Sequence, residues 1–149
     1  MVAVRLAALA FLFAALVGSA VPVLGAAATN MTVVKAPLDQ ERVIDGVSVG
    51  CTGIGQSKNE PRWLGYSVRL EFSDPTGAYL ANEVVAVSDA RGRRLVAVSC
   101  EGPWILLRLP PGEYQAKGWL PNSPGQPVSA SFRAPARGQL RRVLQFPNP

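Results

Sequence analysis

An all-β chain is predicted here, an antiparallel β-sandwich of about seven to eight strands behind an N-terminal export signal. Three observations carry that expectation. From Leu64 onward, Tyr66, Val68, Leu70 and Phe72 alternate with Ser67, Arg69, Glu71 and Ser73, the period-two pattern of a half-buried strand. Gly, Pro and Asp clusters then recur roughly every 9 to 15 residues, as turns between short strands would. No segment holds an apolar 3.6-residue period long enough to lay a helix across a sheet.

Taken in order, the chain opens with Arg5, the apolar run Leu6 to Val17 and a small-residue stretch reaching Ala28. That order is the mark of a secretory signal peptide, residues 1–26 with cleavage between 25 and 28. The run is too short for a bilayer core about 30 Å thick, which takes ~20 apolar residues, so no transmembrane anchor is expected after processing. Residues 27–40 read as a flexible N-terminal segment and 41–149 as one sandwich domain. Arg42 to Cys51 is the first expected strand. Gly50-Cys51-Thr52-Gly53-Ile54-Gly55 is glycine-rich but lacks both the strand-to-helix setting of a dinucleotide loop and the Gly-Lys-Ser/Thr of a P-loop, so it reads as a strand end and turn. A polar loop with Lys58, Glu60 and Trp63 follows and is a candidate binding loop.

The strand from Leu64 ends at Asp74-Pro75-Thr76-Gly77, which places Asp, Pro and Gly where a type I turn favours them. Tyr79 to Ser88 and Leu95 to Cys100 form an expected hairpin around Asp89-Ala90-Arg91-Gly92. Trp104 to Leu109 is an apolar run between Gly102-Pro103 and Pro110-Pro111-Gly112, which reads as a core strand with Trp104 inside. Glu113 to Leu120 alternates again, with Trp119 opposite Tyr114. Val128 to Phe132, the turn Pro135 to Gly138 and Leu140 to Phe146 complete the series.

The chain carries 15 Lys and Arg against 10 Asp and Glu, a formal net charge of +5 that falls by one when Arg5 leaves with the signal. Such a balance admits an acidic partner without requiring one. Nucleic acid is not expected for an exported chain. With no histidine anywhere, Ser-His and Cys-His nucleophile pairs are excluded and most zinc sites with them. Lys35, Lys58 and Lys117 stand in no Ser-x-x-Lys spacing. Asp74 and Asp89 are accounted for by turns, and Glu71 alternates onto a solvent face. No catalytic residue, metal ligand or cofactor is therefore assigned. Asn30-Met31-Thr32 matches a glycosylation acceptor, which matters only in a eukaryotic secretory route.

Cys51 and Cys100 are the only cysteines, and in an oxidising compartment an even count predicts one internal disulfide, the alternative being two separate buried thiols. Two basic clusters, Arg91, Arg93 and Arg94 at one turn and Arg137, Arg141 and Arg142 at another, are either a solvated rim that blocks sheet aggregation or an anion-attracting surface.

From Tyr66 to Trp119 the chain resembles the carboxypeptidase regulatory-like, or transthyretin-like, domain family. The resemblance rests on Asp89 to Gly92, Gly102-Pro103-Trp104 and Leu109-Pro110-Pro111-Gly112-Glu113-Tyr114, and it extends through Gly53-Ile54-Gly55 and Tyr79-Leu80-Ala81 to small exported bacterial proteins of this type. It implies a Greek-key sandwich, usually a non-catalytic accessory, and carries over no catalytic residue. The expected function is thus a non-enzymatic exported module, periplasmic or secreted, that binds or supports an envelope or extracellular component. The alternative is a small secreted hydrolase using a carboxylate pair.

Overall fold

The computed structural model describes residues 32–122, 127–147 and 149; the signal segment, Asn30 and Met31 lie outside them. Ten strands form two five-stranded sheets packed face to face. They are β1 (Val34–Ala36), β2 (Gln40–Ile44), β3 (Val47–Thr52), β4 (Val68–Ser73), β5 (Val84–Asp89), β6 (Arg94–Cys100), β7 (Trp104–Arg108), β8 (Gly112–Trp119), β9 (Val128–Ala134) and β10 (Leu140–Gln145). The first sheet runs β1-β6-β5-β8-β9 and the second β10-β4-β7-β3-β2. This all-β sandwich is consistent with a transthyretin-like or Greek-key arrangement in general.

The strand count exceeds the expected seven or eight for two local reasons. Arg42 to Cys51 is not one strand but the β2–β3 hairpin, broken at Asp45-Gly46, whose φ values of 51° and 82° are the left-handed pair that a tight two-residue hairpin turn requires. Within the segment 27–40, expected to be flexible, Val34–Ala36 pairs with β6 and buries Ala36 completely. Nor is the sandwich wholly antiparallel, because β1 runs parallel to β6 and β10 parallel to β4. Each of these is an edge strand that supplies hydrogen-bond partners to a neighbour otherwise left open. The strand expected from Tyr79 starts only at Val84; Tyr79 itself makes an isolated bridge to Ser73.

Alternation builds the core. Val85, Val87, Val96, Val98, Ala116 and Phe132 from the first sheet meet Val49, Leu70, Phe72, Ile105, Leu107 and Leu144 from the second. The expected bridge is present: Cys51 on β3 and Cys100 on β6 join the two sheets across this core.

A second, smaller apolar cluster lies on the outer face of the second sheet, where Trp63 and Tyr66 pack on Leu106. Gly50 makes room for it, since a Cβ there would come within 2.8 Å of Trp63 Cζ3. Gly50→Ala is accordingly expected to push the indole off the sheet and to cost about 1–3 kcal/mol, the usual range for overpacking. Urea unfolding followed by tryptophan fluorescence measures it, and an unchanged midpoint would show that the ring shifts freely.

Candidate functional site

The same outer face gathers the chemistry. In β4 the alternation that sends Leu70 and Phe72 inward sends Arg69 and Glu71 outward, and in β7 the inward Ile105 and Leu107 leave Trp104, Leu106 and Arg108 outside. Parallel pairing of β10 with β4 sets Arg141 beside Arg69 and Val143 beside Glu71. A pair of 3-10 turns, Ser57–Asn59 and Pro61–Gly65, then folds Lys58, Arg62 and Trp63 over the sheet. Trp63 Nε1 donates to the Ser57 carbonyl at 2.7 Å, and Gln139 Nε2 donates to the carbonyls of Trp63 and Tyr66, so the loop is tied down at both ends. Asp39 accepts hydrogen bonds from Thr52 Oγ1 at 2.7 Å and Ser57 Oγ at 2.6 Å.

Four cations lie over aromatic rings on this face: Arg62 over Trp63 at 4.2 Å, Arg69 over Trp104 at 4.4 Å, Arg108 over Tyr66 at 5.2 Å and Lys58 over Trp104 at 6.0 Å. Chains generally show such a contact about once per 70–80 residues, so a concentration of this kind on one face marks it out from the rest of the surface. Tyr79 adds an edge-on contact to Trp104 at 6.2 Å.

Glu71, expected on a solvated face, is instead fully buried. The cause is the arginines above it: Arg141 grips it with two bonds of 2.7 Å, Arg69 Nε stands 2.9 Å from Oε1, and Tyr79 donates to Oε2 at 3.1 Å. Burial by itself would raise the Glu71 pKa, but the Arg141 hydrogen bonds and the Arg69 charge outweigh it and hold the carboxyl below its usual range. Tyr66 is pushed up to about 12 by burial and by the neighbouring Glu41, so its hydroxyl remains a donor. Arg69 Nε and Trp104 Nε1 are buried without an aligned acceptor among the described residues. Trp104 is therefore not the core residue that its apolar run suggests; it is half-buried on the outside of the sheet.

The candidate residues named from sequence divide accordingly. Lys58, Glu60, Trp63 and Arg141 belong to this face, with Glu60 paired to Arg62 at 2.8 Å and Trp63 serving as the buried floor. Register brings the β5–β6 and β9–β10 turns to one end of the sandwich, so Arg91, Arg93, Arg94 and Arg137 share that end, whereas Arg142 lies within the edge strand β10 opposite Leu70. Arg93 is held by Asp89 at 3.1 Å; the other four are exposed and form no ion pair among the described residues. Arg141 leaves its sequence neighbours to join Glu71. Sequence reasoning missed Arg69, Glu71, Tyr79 and Arg108 as a group. The period-two pattern of β4 and β7 held the signal for three of them, but which strands lie side by side was not visible in it.

One other carboxylate is notable. Glu83 is fully buried, its carbonyl accepts from Cys100 N at 3.3 Å, and both side-chain oxygens lack a partner among the described residues. Burial pushes its pKa up to about 9. Among the described residues no three His, Cys, Asp or Glu side chains are grouped to hold a metal, and no helix is long and apolar enough to cross a membrane. The chain matches no protein-family model, and no curated protein is similar to it.

Proposed function

We propose that this chain is an exported, non-enzymatic β-sandwich module that binds another component of the envelope or extracellular space through the outer face of its second sheet. The carboxypeptidase regulatory-like family is the matching family proposal, resting on the turn motifs quoted above. The observation that carries the reading is the array of stacked cations around the buried Glu71. One carboxylate serves two guanidiniums there, and Lys58 and Arg108 form no ion pair among the described residues; Lys58, Arg62, Arg69, Arg108 and Arg141 thus face Asp39, Glu41, Glu60 and Glu71, five cations to four carboxylates, with the unpaired cations on the outside. Guanidiniums stacked on rings are also pre-organised, which lowers the entropy lost on meeting an oxyanion.

The test is a titration against anionic envelope polymers, a polyuronate and a phosphodiester polymer, at low and high salt. Binding is expected to weaken as salt rises, since exposed charges are screened over ~10 Å at 0.1 M. The double variant Lys58→Gln, Arg108→Gln should bind less tightly with nearly unchanged stability, as surface substitutions shift it by only about 0.5 kcal/mol. Binding indifferent to salt and to both substitutions would remove the site from this face. Turnover of a polymer into shorter products would replace the module by a hydrolase.

A further inference from the structure

The five exposed large hydrophobic residues among those described are Val43, Ile54, Leu64, Tyr79 and Val143, and all belong to the side of the molecule that carries the cation array. Val43 pairs with Ser48 on the outer side of β2 and β3, Val143 pairs with Glu71, and Tyr79 bonds to Glu71. Leu64, 73% exposed, projects from the turn whose neighbour Trp63 is buried, and Ile54 begins the same covering loop. The opposite outer face presents small and polar residues such as Ala86, Ser99, Lys117 and Ser131, with Trp119 half-buried beside Val84 and no large hydrophobic side chain exposed among the described residues. Apolar tips and uncompensated cations therefore coincide on one face.

We propose that this face docks onto an anionic lipid surface, with Leu64 and Ile54 entering the headgroup boundary and Lys58 and Arg108 meeting lipid phosphates. The inference rests on the binding reading above and names its occupant. Charge complementarity is the first argument, because interfacial attachment adds electrostatic attraction for anionic headgroups to buried apolar area. The apolar arrangement also distinguishes lipid from a folded acidic protein. Protein interfaces centre on a contiguous apolar patch or a filled pocket, whereas here that centre is already occupied by the chain's own Trp63, Tyr66 and Leu106. What remains are separate aliphatic tips between guanidiniums, an arrangement that fluid headgroups accommodate and a fixed partner does not. Sugar stacking is disfavoured for a related reason: Arg62, Arg69 and Arg108 already cover ring faces of Trp63, Trp104 and Tyr66.

The experiment is co-sedimentation of the exported chain with phosphatidylcholine vesicles, with and without about one-third phosphatidylglycerol. Binding is expected only to the anionic vesicles and should fall with salt. Lys58→Gln and Arg108→Gln should each lower partitioning about fivefold, since a basic residue near an anionic membrane surface contributes about 1 kcal/mol. Leu64→Ser should lower it about tenfold, and Lys117→Gln on the opposite face should leave it unchanged. Absence of binding to the anionic vesicles, equal binding to neutral ones, or an equal loss in Lys117→Gln would overturn the proposal. Salt-sensitive binding to the polyuronate without vesicle binding would sink the lipid assignment alone and leave the binding module standing. Binding to polyglutamate under the same conditions, again without vesicles, would make an acidic polypeptide the occupant. Failure of every probe removes both readings.

Discussion

Replacing Cys51 and Cys100 together by Ala is expected to lower the unfolding free energy by about 4 kcal/mol. The bridge spans a sequence separation of 49 and fastens β3 of one sheet to β6 of the other. In the loop-entropy account, a cross-link closing ~50 residues removes about 4 kcal/mol of conformational freedom from the unfolded chain. Both sulfurs are also buried in the core, so their loss leaves space between the sheets. Thermal unfolding should fall by roughly 15 °C at this domain size. Wild-type protein unfolded with and without reductant gives an independent measurement, and a difference under about 1 kcal/mol in both experiments would show that the core alone holds the sheets together.

The second large effect is an unusual pH dependence from Glu83. Its folded pKa of about 9 lies well above the ordinary 4.5 that applies in the unfolded chain. Between these values the folded state holds a proton that the unfolded state has released. Stability from this residue is thus fully present below about pH 4.5 and is lost as pH rises toward 9, at about 1.4 kcal/mol per pH unit. Going from pH 5 to pH 7 should weaken the fold by on the order of 3 kcal/mol. Glu71, Asp74, Asp89 and Glu101 have lowered pKa values and act in the opposite sense, with stability that fades as the medium is acidified through their folded pKa values. The optimum is therefore expected near pH 5. Glu83→Gln, close in shape and unable to ionise, should flatten the profile between pH 5 and 8. Urea midpoints for both proteins across that range decide it: parallel profiles would mean that Glu83 finds a partner or solvent in solution.

Much of the candidate site escaped sequence reasoning for a reason that particular residues make plain. Arg69 and Glu71 were visible as the polar side of one strand, and polar residues on such a side are ordinarily solvated. Their burial depends on Arg141, 70 residues away from Glu71 along the chain, which arrives only because β10 pairs parallel to β4. Trp104 begins an apolar run with an inward-facing Ile105 and Leu107, and the run alone gave no means of telling which side a sheet-covering loop would occupy. The Asp45-Gly46 turn, by contrast, was legible in principle, since Asp-Gly between strand-forming residues is a strong hairpin signal.

By itself the amino-acid sequence determined the all-β class, most strands, the main turns and the pairing of Cys51 with Cys100, because alternation, turn chemistry and cysteine parity are local or compositional properties. It also placed Lys58, Glu60 and Trp63 together, since one loop carries all three. Tertiary structure alone decided the parallel edge strands β1 and β10, the burial of Glu71 and Glu83, and the stacking of Arg62, Arg69 and Arg108 on their rings. These features depend on which strands become neighbours and which face a loop covers. Those choices are fixed by packing over the whole chain, and no window of sequence contains them.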